Sequence, residues 1–365
     1  MRETPCRSGG KNEDYDCVIN AAAPTVVTFG EVMLRLSAPD GTRLAGARAL
    51  DATYGGGEAN VAGSLAGFGV PARFVSRVPA NDLGDGAIRF LRGLGVDTSG
   101  VAVESGRLGV YYLEPGASQR ASRVVYDRAD SCIAKAGAGA YDWASLLDGA
   151  RWFHTTGITP ALSAAAAEAT LAAVRAARAA GATVSVDLNY RAKLWSWGAS
   201  VGDVMAGIVA EADVLIGNEE DAEKVFGIRA PGSSVAEGRV DPAGYAAVAA
   251  QLASRFPRLR TIAFTQRGSI SASENTWSGV GWAPDAFHVA RSYRIAPIVD
   301  RVGAGDSFAA GLIYALLAGR PPEAALEFAV AASCLKHSIR GDVNQVSVAE
   351  VDALAGGPGS GRVDR

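Results

Sequence analysis

Gly303-Ala304-Gly305-Asp306 runs directly into Ser307 to Leu317, an apolar stretch with helical spacing. Glycines at 303 and 305 let the backbone approach a ligand closely. A helix that begins there turns its free N–H groups and the positive end of its dipole outward. Such a turn is an anion site, suited to charge developing on a phosphoryl group in transfer. Asp306 stands beside it, where a carboxylate can accept the proton of an attacking hydroxyl. The same aspartate also reads as the cap of an ordinary helix behind a glycine turn.

A second glycine-rich stretch, Tyr54-Gly55-Gly56-Gly57-Glu58-Ala59-Asn60, combines open space with an amide that both donates to and accepts from hydroxyls. It lacks the third glycine of a dinucleotide fingerprint, and no acidic residue follows at the matching distance, which disfavours a nicotinamide oxidoreductase. A hairpin or hinge turn is its other reading. Arg128 and Arg191 offer planar, permanently charged forks that suit a carboxylate. Arg191 could equally pair with Asp187 or cap a helix. His154 and His288, on strand-like runs, read as structural, and Trp195 with Trp197 as core.

These residues need a frame to converge. Short apolar runs, Val26 to Gly30, Phe74 to Val78, Trp152 to Thr155, Thr183 to Leu188, Val214 to Gly217 and Thr261 to Thr265, recur with helical patterns between them. The alanine-rich stretch from Leu162 to Ala180 is the plainest helix, and Gly181 ends it. The alternation predicts an α/β fold with a mainly parallel sheet covered by helices on both faces, whose ligands bind at the carboxyl ends of the strands. Period-two segments without helices, within 33–56 and 107–130, predict a small antiparallel β lid that would keep water from the site. Its exposed edges suit pairing with a second copy, a homo-oligomer through the lid.

The 365 residues carry a formal net charge of -3, with 48% hydrophobic and 20% charged side chains. That balance suits a globular chain with a large core and gives no general attraction for nucleic acid or anionic lipid. Cys6, Cys17, Cys132 and Cys334 are scattered without a metal-ligand spacing. Reduced thiols, a polar N-terminus and the lack of a membrane-length apolar run point to a cytoplasmic protein acting on a small molecule. The folded body is expected over 24–355, with disordered tails over 1–23 and 356–365.

The segment Asp300-Arg301-Val302-Gly303-Ala304-Gly305-Asp306-Ser307-Phe308 resembles the D-T-x-G-A-G-D-x-F signature of the ribokinase-like, or PfkB-type, carbohydrate kinases, with Arg301 in the threonine position. The likeness extends over roughly 24–350. Val26 to Leu36, Val124 to Ala129, Val186 to Ser196, Ile216 to Ala222 and Lys336 to Asp342 are similar to the branch that acts on 2-keto-3-deoxygluconate. The resemblance implies ATP-dependent phosphorylation of that sugar acid at its terminal hydroxyl, with Asp306 as general base and the Gly303, Ala304 and Gly305 backbone as anion hole. It also implies a sugar-binding turn at Gly55, Gly56 and Asn60, and sugar contacts from Tyr112, Tyr126, Arg128 and Arg191.

For ATP and Mg²⁺ it implies Asn189 and Arg191 near the phosphates, Thr265 and Gly268 in a nucleotide loop, and Ala332, His337 and Asn344 around adenine. Asn218, with Glu220 or Asp221 acting through water, would serve the metal. Here Asp221 stands where the family has glutamate, and Thr265-Gln266-Arg267-Gly268 matches the nucleotide motif only in part. A kinase of the same fold for another acceptor, such as the galacto epimer, fructose, ribose or a nucleoside, and a non-catalytic sugar or nucleotide sensor, are the competing readings.

Overall fold

The structure, a computed structural model, describes residues 25–218, 220–229 and 242–357. The expected tail over 1–23 lies outside the described residues, as does that over 356–365 beyond Gly357.

Among the described residues the main sheet has ten strands. These are β1 (Thr25–Phe29), β4 (Ala72–Pro79), β5 (Val101–Glu104), β8 (Ala150–Thr156), β9 (Thr183–Asp187), β10 (Val214–Asn218), β11 (Thr261–Ser271), β12 (Glu274–Ala283), β13 (Ala286–Val289) and β14 (Tyr293–Ile295). The order is β13-β12-β11-β10-β9-β8-β1-β4-β5, and β14 pairs with β12. From β5 to β11 every pairing is parallel, and β12 to β14 add an antiparallel margin.

The register matters for function. Thr156 pairs with Asp187, Ile216 with Asp187, and Asn218 with Thr265, so the carboxyl ends of β8 to β11 lie along one edge.

Helices cover both faces. On one, α1 (Gly57–Gly67) and α2 (Asp82–Gly93) join three later helices. On the other lie α3 (Ala164–Ala179), α4 (Val201–Val209) and α6 (Pro242–Arg255). The short α5 (Asp221–Phe226) follows β10. The later helices are α7 (Ala304–Leu317), α8 (Pro322–Lys336) and α9 (Val348–Gly356). The ring of Tyr314 from α7 stacks on Phe328 of α8 with centroids 5.0 Å apart, and Phe68 meets Phe328 edge-on at 5.6 Å. This aromatic packing fixes α7 against α8 and the end of α1.

The lid is a separate sheet in the order β3-β2-β6-β7, built from β2 (Met33–Ser37), β3 (Asp51–Gly55), β6 (Gly109–Glu114) and β7 (Arg123–Asp127). Its outer pairs are antiparallel, whereas its central pair, β2 with β6, is parallel. β3 leads through Gly56 straight into α1, so the lid and the glycine-rich turn are one continuous piece.

Candidate active site

A cleft of about 730 Å³ lies between the lid and the carboxyl edge of the main sheet. Its size suits a small-molecule ligand. The N-terminus of α7 forms its floor. Gly303 caps that helix in the left-handed conformation (φ 82°), and a Cβ there would meet the Asp342 carbonyl oxygen at 1.8 Å, so glycine is required twice over. No side chain caps α7, which leaves its first amides for an anion. A Cβ on Gly305 would meet nothing within 4 Å, so the approach is open there.

Asp306 lines the cleft in the first turn of α7 and accepts a 2.7 Å hydrogen bond from Asn60 Nδ2. Asn60 is in turn fixed by accepting from Gly56 N at 3.2 Å. The glycine-rich turn thus aims Asn60 at the candidate base. Burial, reinforced by the negative charges of Asp342 and Glu58, pushes the Asp306 carboxyl up to about 7, while the Asn60 hydrogen bond pulls against this. A carboxyl near neutrality is suited to take a proton and give it up.

At the lid end the buried charges are paired. Arg35 of β2 binds Asp300 at 2.6 Å and also Asp342. Tyr111 of β6 donates to Asp342. Arg128 donates through Nε to Glu31 at 2.7 Å, and Ser131 Oγ donates to the same carboxylate at 2.6 Å. Glu58 is buried beneath the turn, where Thr156 N, Thr156 Oγ1 and Thr159 Oγ1 all donate to it. Burial raises its pKa against those hydrogen bonds.

At the other end, along the strand edge, two buried carboxylates form no close ion pair among the described residues, although the charge of Arg191 acts on both. Asp187 accepts from Asn189 N at 3.1 Å, and Asp221 accepts from Asn218 N at 3.0 Å and Tyr190 N at 3.1 Å. Burial pushes Asp187 up to about 8, with Asp221 and Asp306 adding repulsion, and pushes Asp221 up to about 6. Arg191, Lys224 and Arg267 line this part of the cleft with exposed side chains. Asn189 holds the turn after β9 with a positive φ of 35°.

A model of the pfkB family carbohydrate kinases matches residues 23–347. The chain belongs to that family. It is therefore an ATP-dependent sugar kinase. Among solved structures it is similar to the 2-dehydro-3-deoxygluconokinase of Thermotoga maritima. That chain is 47% identical, the match covers 92% of this chain and all of that one, and the TM-score is 0.87. It is also similar to the 2-dehydro-3-deoxygalactonokinase of Haloferax volcanii, 33% identical over 340 residues, 93% of this chain and 99% of the relative. The 2-dehydro-3-deoxygluconokinase of Thermoproteus tenax is 28% identical over 349 residues, 94% of this chain and 95% of the relative.

The kinase brings Gly56, Asn60, Tyr126, Arg128, Asn189, Arg191, Asn218, Glu220, Asp221, Thr265, Gly303, Ala304, Gly305, Asp306 and His337 together along one cleft. Five expected residues lie elsewhere, each for a local reason; one of them, Ala332, is buried inside α8. Tyr112 is replaced at the cleft by its neighbour Tyr111, because side chains alternate along β6. Gly268 is not in a loop. β11 continues unbroken through it, Thr265 and Arg267 face the cleft, and a Cβ on Gly268 would press on Thr276 Oγ1. Gly55 sits behind the turn, where a Cβ would strike the Asp342 carboxylate. Asn344 is buried and donates to Ser307 Oγ at 2.7 Å and Ala332 O at 3.3 Å, tying α7 to α8.

His337 is a buried cleft residue, its Nδ1 2.8 Å from Ser333 O and its ring edge-on to Trp277 at 5.0 Å. His154 is wholly buried beside Ser185, as expected of a structural histidine. Arg35, Glu31, Glu58, Tyr111, Arg267 and Asp342 were missed. All six lie in stretches that the sequence singles out, Glu31 and Arg35 in Val26 to Leu36, Glu58 in the glycine-rich turn, Tyr111 in the lid segment, Arg267 beside Thr265 and Asp342 at the end of Lys336 to Asp342, but no pattern there gives any of them a role.

Proposed function

We propose that the kinase transfers the γ-phosphoryl group of ATP to the terminal hydroxyl of 2-keto-3-deoxygluconate, giving the 6-phosphate. The observation that carries this reading is Asp306, held by Asn60 at the uncapped N-terminus of α7 inside the cleft. Asp306 takes the hydroxyl proton as the sugar oxygen bonds to the γ-phosphorus. The bond from that phosphorus to the bridging oxygen breaks, and ADP leaves with the electron pair. The amides of Gly303, Ala304 and Gly305 face the charge that develops.

The acid function of the substrate is the reason to favour Arg191 and Arg128 as its partners. Arg191 is exposed at the cleft, where its charge acts on Asp187, Asp221 and Asp306, and Arg128 is held rigid by Glu31 at the lid. Gly56 packs on the Glu31 carbonyl, which a Cβ would meet at 1.9 Å, and so holds the turn that carries Asn60, while Tyr126 lines the cleft from β7. Thr265, Asn189 and Asn218 line the edge where the nucleotide would lie, and His337 with Trp277 offers a surface for its base.

Magnesium fits this edge. Asp187 and Asp221 are buried carboxylates with raised pKa values, and a dication relieves such repulsion. Among the described residues no cluster of three or more acidic, histidine or cysteine side chains forms a complete cage. Asn218, Glu220, Asp221 and Asp187 would hold the ion through water, which suits a cation that keeps most of its hydration. When bound with the nucleotide it neutralises phosphate charge.

A second reading, the galacto epimer as substrate, is favoured by the name of the Haloferax volcanii relative. The exposed Val124, Val125 and Tyr126 on the edge strand β7 support pairing with a second copy through the lid. ADP release with ATP and Mg²⁺ tests the assignment against the two epimers, fructose, ribose and adenosine. Turnover confined to the keto-deoxy acids is expected, and turnover on a neutral sugar or nucleoside alone would refute the arginine argument. A size measurement at micromolar concentration tests the lid pairing, and monomer alone would remove it.

A further inference from the structure

Lys336 ends α8 and is fully buried. It does not line the cleft, so no substrate meets it. Its Nζ donates to two main-chain oxygens, Asp300 O at 3.1 Å and Ile339 O at 3.2 Å. The carboxylates of Asp300 and Asp342 are already taken by Arg35. The ammonium is thus held by carbonyls.

Those two carbonyls belong to the segments that build the anion hole. Asp300 opens the turn that ends at Gly303. Ile339 leads to Asp342, whose carbonyl oxygen lies directly under Gly303. A cation bonded to both draws the two segments together and keeps their oxygens turned toward itself. Burying an ammonium sacrifices its hydration, and burial does pull the Lys336 pKa down. A neutral side chain would avoid that cost.

We propose that Lys336 is a positioning residue, an internal cation that holds the Asp300–Gly303 turn against the 339–342 segment so that the anion-hole amides face the transferring phosphoryl group. A free monovalent cation can gather main-chain carbonyls in the same way. Lys336 makes such an ion unnecessary, so turnover is independent of potassium or ammonium. The inference rests on the phosphoryl-transfer reading above.

Wild-type turnover with ATP and the sugar acid is measured first, and tests that reading by itself. Lys336→Ala and Lys336→Met are then compared with it. Both are expected to lower kcat about tenfold or more while the sugar KM changes little. Ammonium or methylammonium is expected to restore Lys336→Ala, whose space is open, and not Lys336→Met, whose side chain fills it. Wild-type rates in sodium, potassium and choline buffers are expected to agree. A Lys336→Ala enzyme with wild-type kcat would overturn the proposal, as would a folded one that ammonium fails to restore. Should neither variant fold, the wild-type series decides: a severalfold rise on replacing choline by potassium sinks the idea.

Discussion

The two ends of the cleft handle buried charge in opposite ways. At the lid, Arg35 sits between Asp300 and Asp342, and Arg128 is bound to Glu31. At the strand edge, Asp187 and Asp221 are buried with main-chain amides as their hydrogen-bond donors, and the nearby cations are exposed at the surface. Charges paired internally hold a shape without help from a ligand. Unpaired carboxylates resist ionisation until a cation arrives. One end is a finished scaffold, and the other is completed by what binds there.

Asp306 stands where the two ends meet, and its loss should have the largest effect. Asp306→Asn is expected to lower kcat by about 10²- to 10⁴-fold with little change in the sugar KM, read by steady-state kinetics. Breaking the paired end comes next. Arg35→Met leaves two buried carboxylates without their ion-pair partner, and should cost about 3–5 kcal/mol in denaturant unfolding. A loss no larger than that of a surface substitution would mean that the lid cluster is not a scaffold.

The pH dependence sharpens the contrast. Asp306 must be ionised to accept a proton, so kcat/KM should fall about tenfold per unit as pH drops below about 7. Asp187 gives the opposite sign in stability. Its folded pKa, about 8, lies above that of an unfolded aspartate, so the folded protein binds the extra proton. That contribution is complete below about pH 4 and is lost as pH rises through about 8. Ligand-free protein should therefore lose stability over this window, and Asp187→Asn should flatten the curve in thermal unfolding at a series of pH values.

The smallest test separates neighbours. Tyr111→Phe removes a buried donor from Asp342 and should cost about 1–3 kcal/mol. Tyr112→Phe, on the other side of the strand, should stay within about 0.5 kcal/mol.

What could be read from sequence followed local rules. Gly303 to Asp306 declared a helix start, and strands alternating with helices declared the parallel sheet and the edge where Asp187, Asn218 and Thr265 would meet. The errors came where a rule names an element without naming its face. A period-two strand offers Tyr111 and Tyr112 equally until a partner sheet covers one side. Thr265-Gln266-Arg267-Gly268 looks like a loop until β12 is seen to pair with it along its length. The lid cluster was illegible for another reason. Arg35, Tyr111, Asp300 and Asp342 lie in separate parts of the chain, and no spacing rule connects them.

That separation has a consequence for how the chain is made. Arg35 and Asp342 are 307 positions apart, and Tyr111 and Asp342 are 231 apart. The lid strands are made well before the residue that fastens them, which follows roughly 10–60 s later at ordinary rates of synthesis. Through that interval a nascent chain carries a finished lid with nothing to latch it. A segment translated late thus locks one translated early.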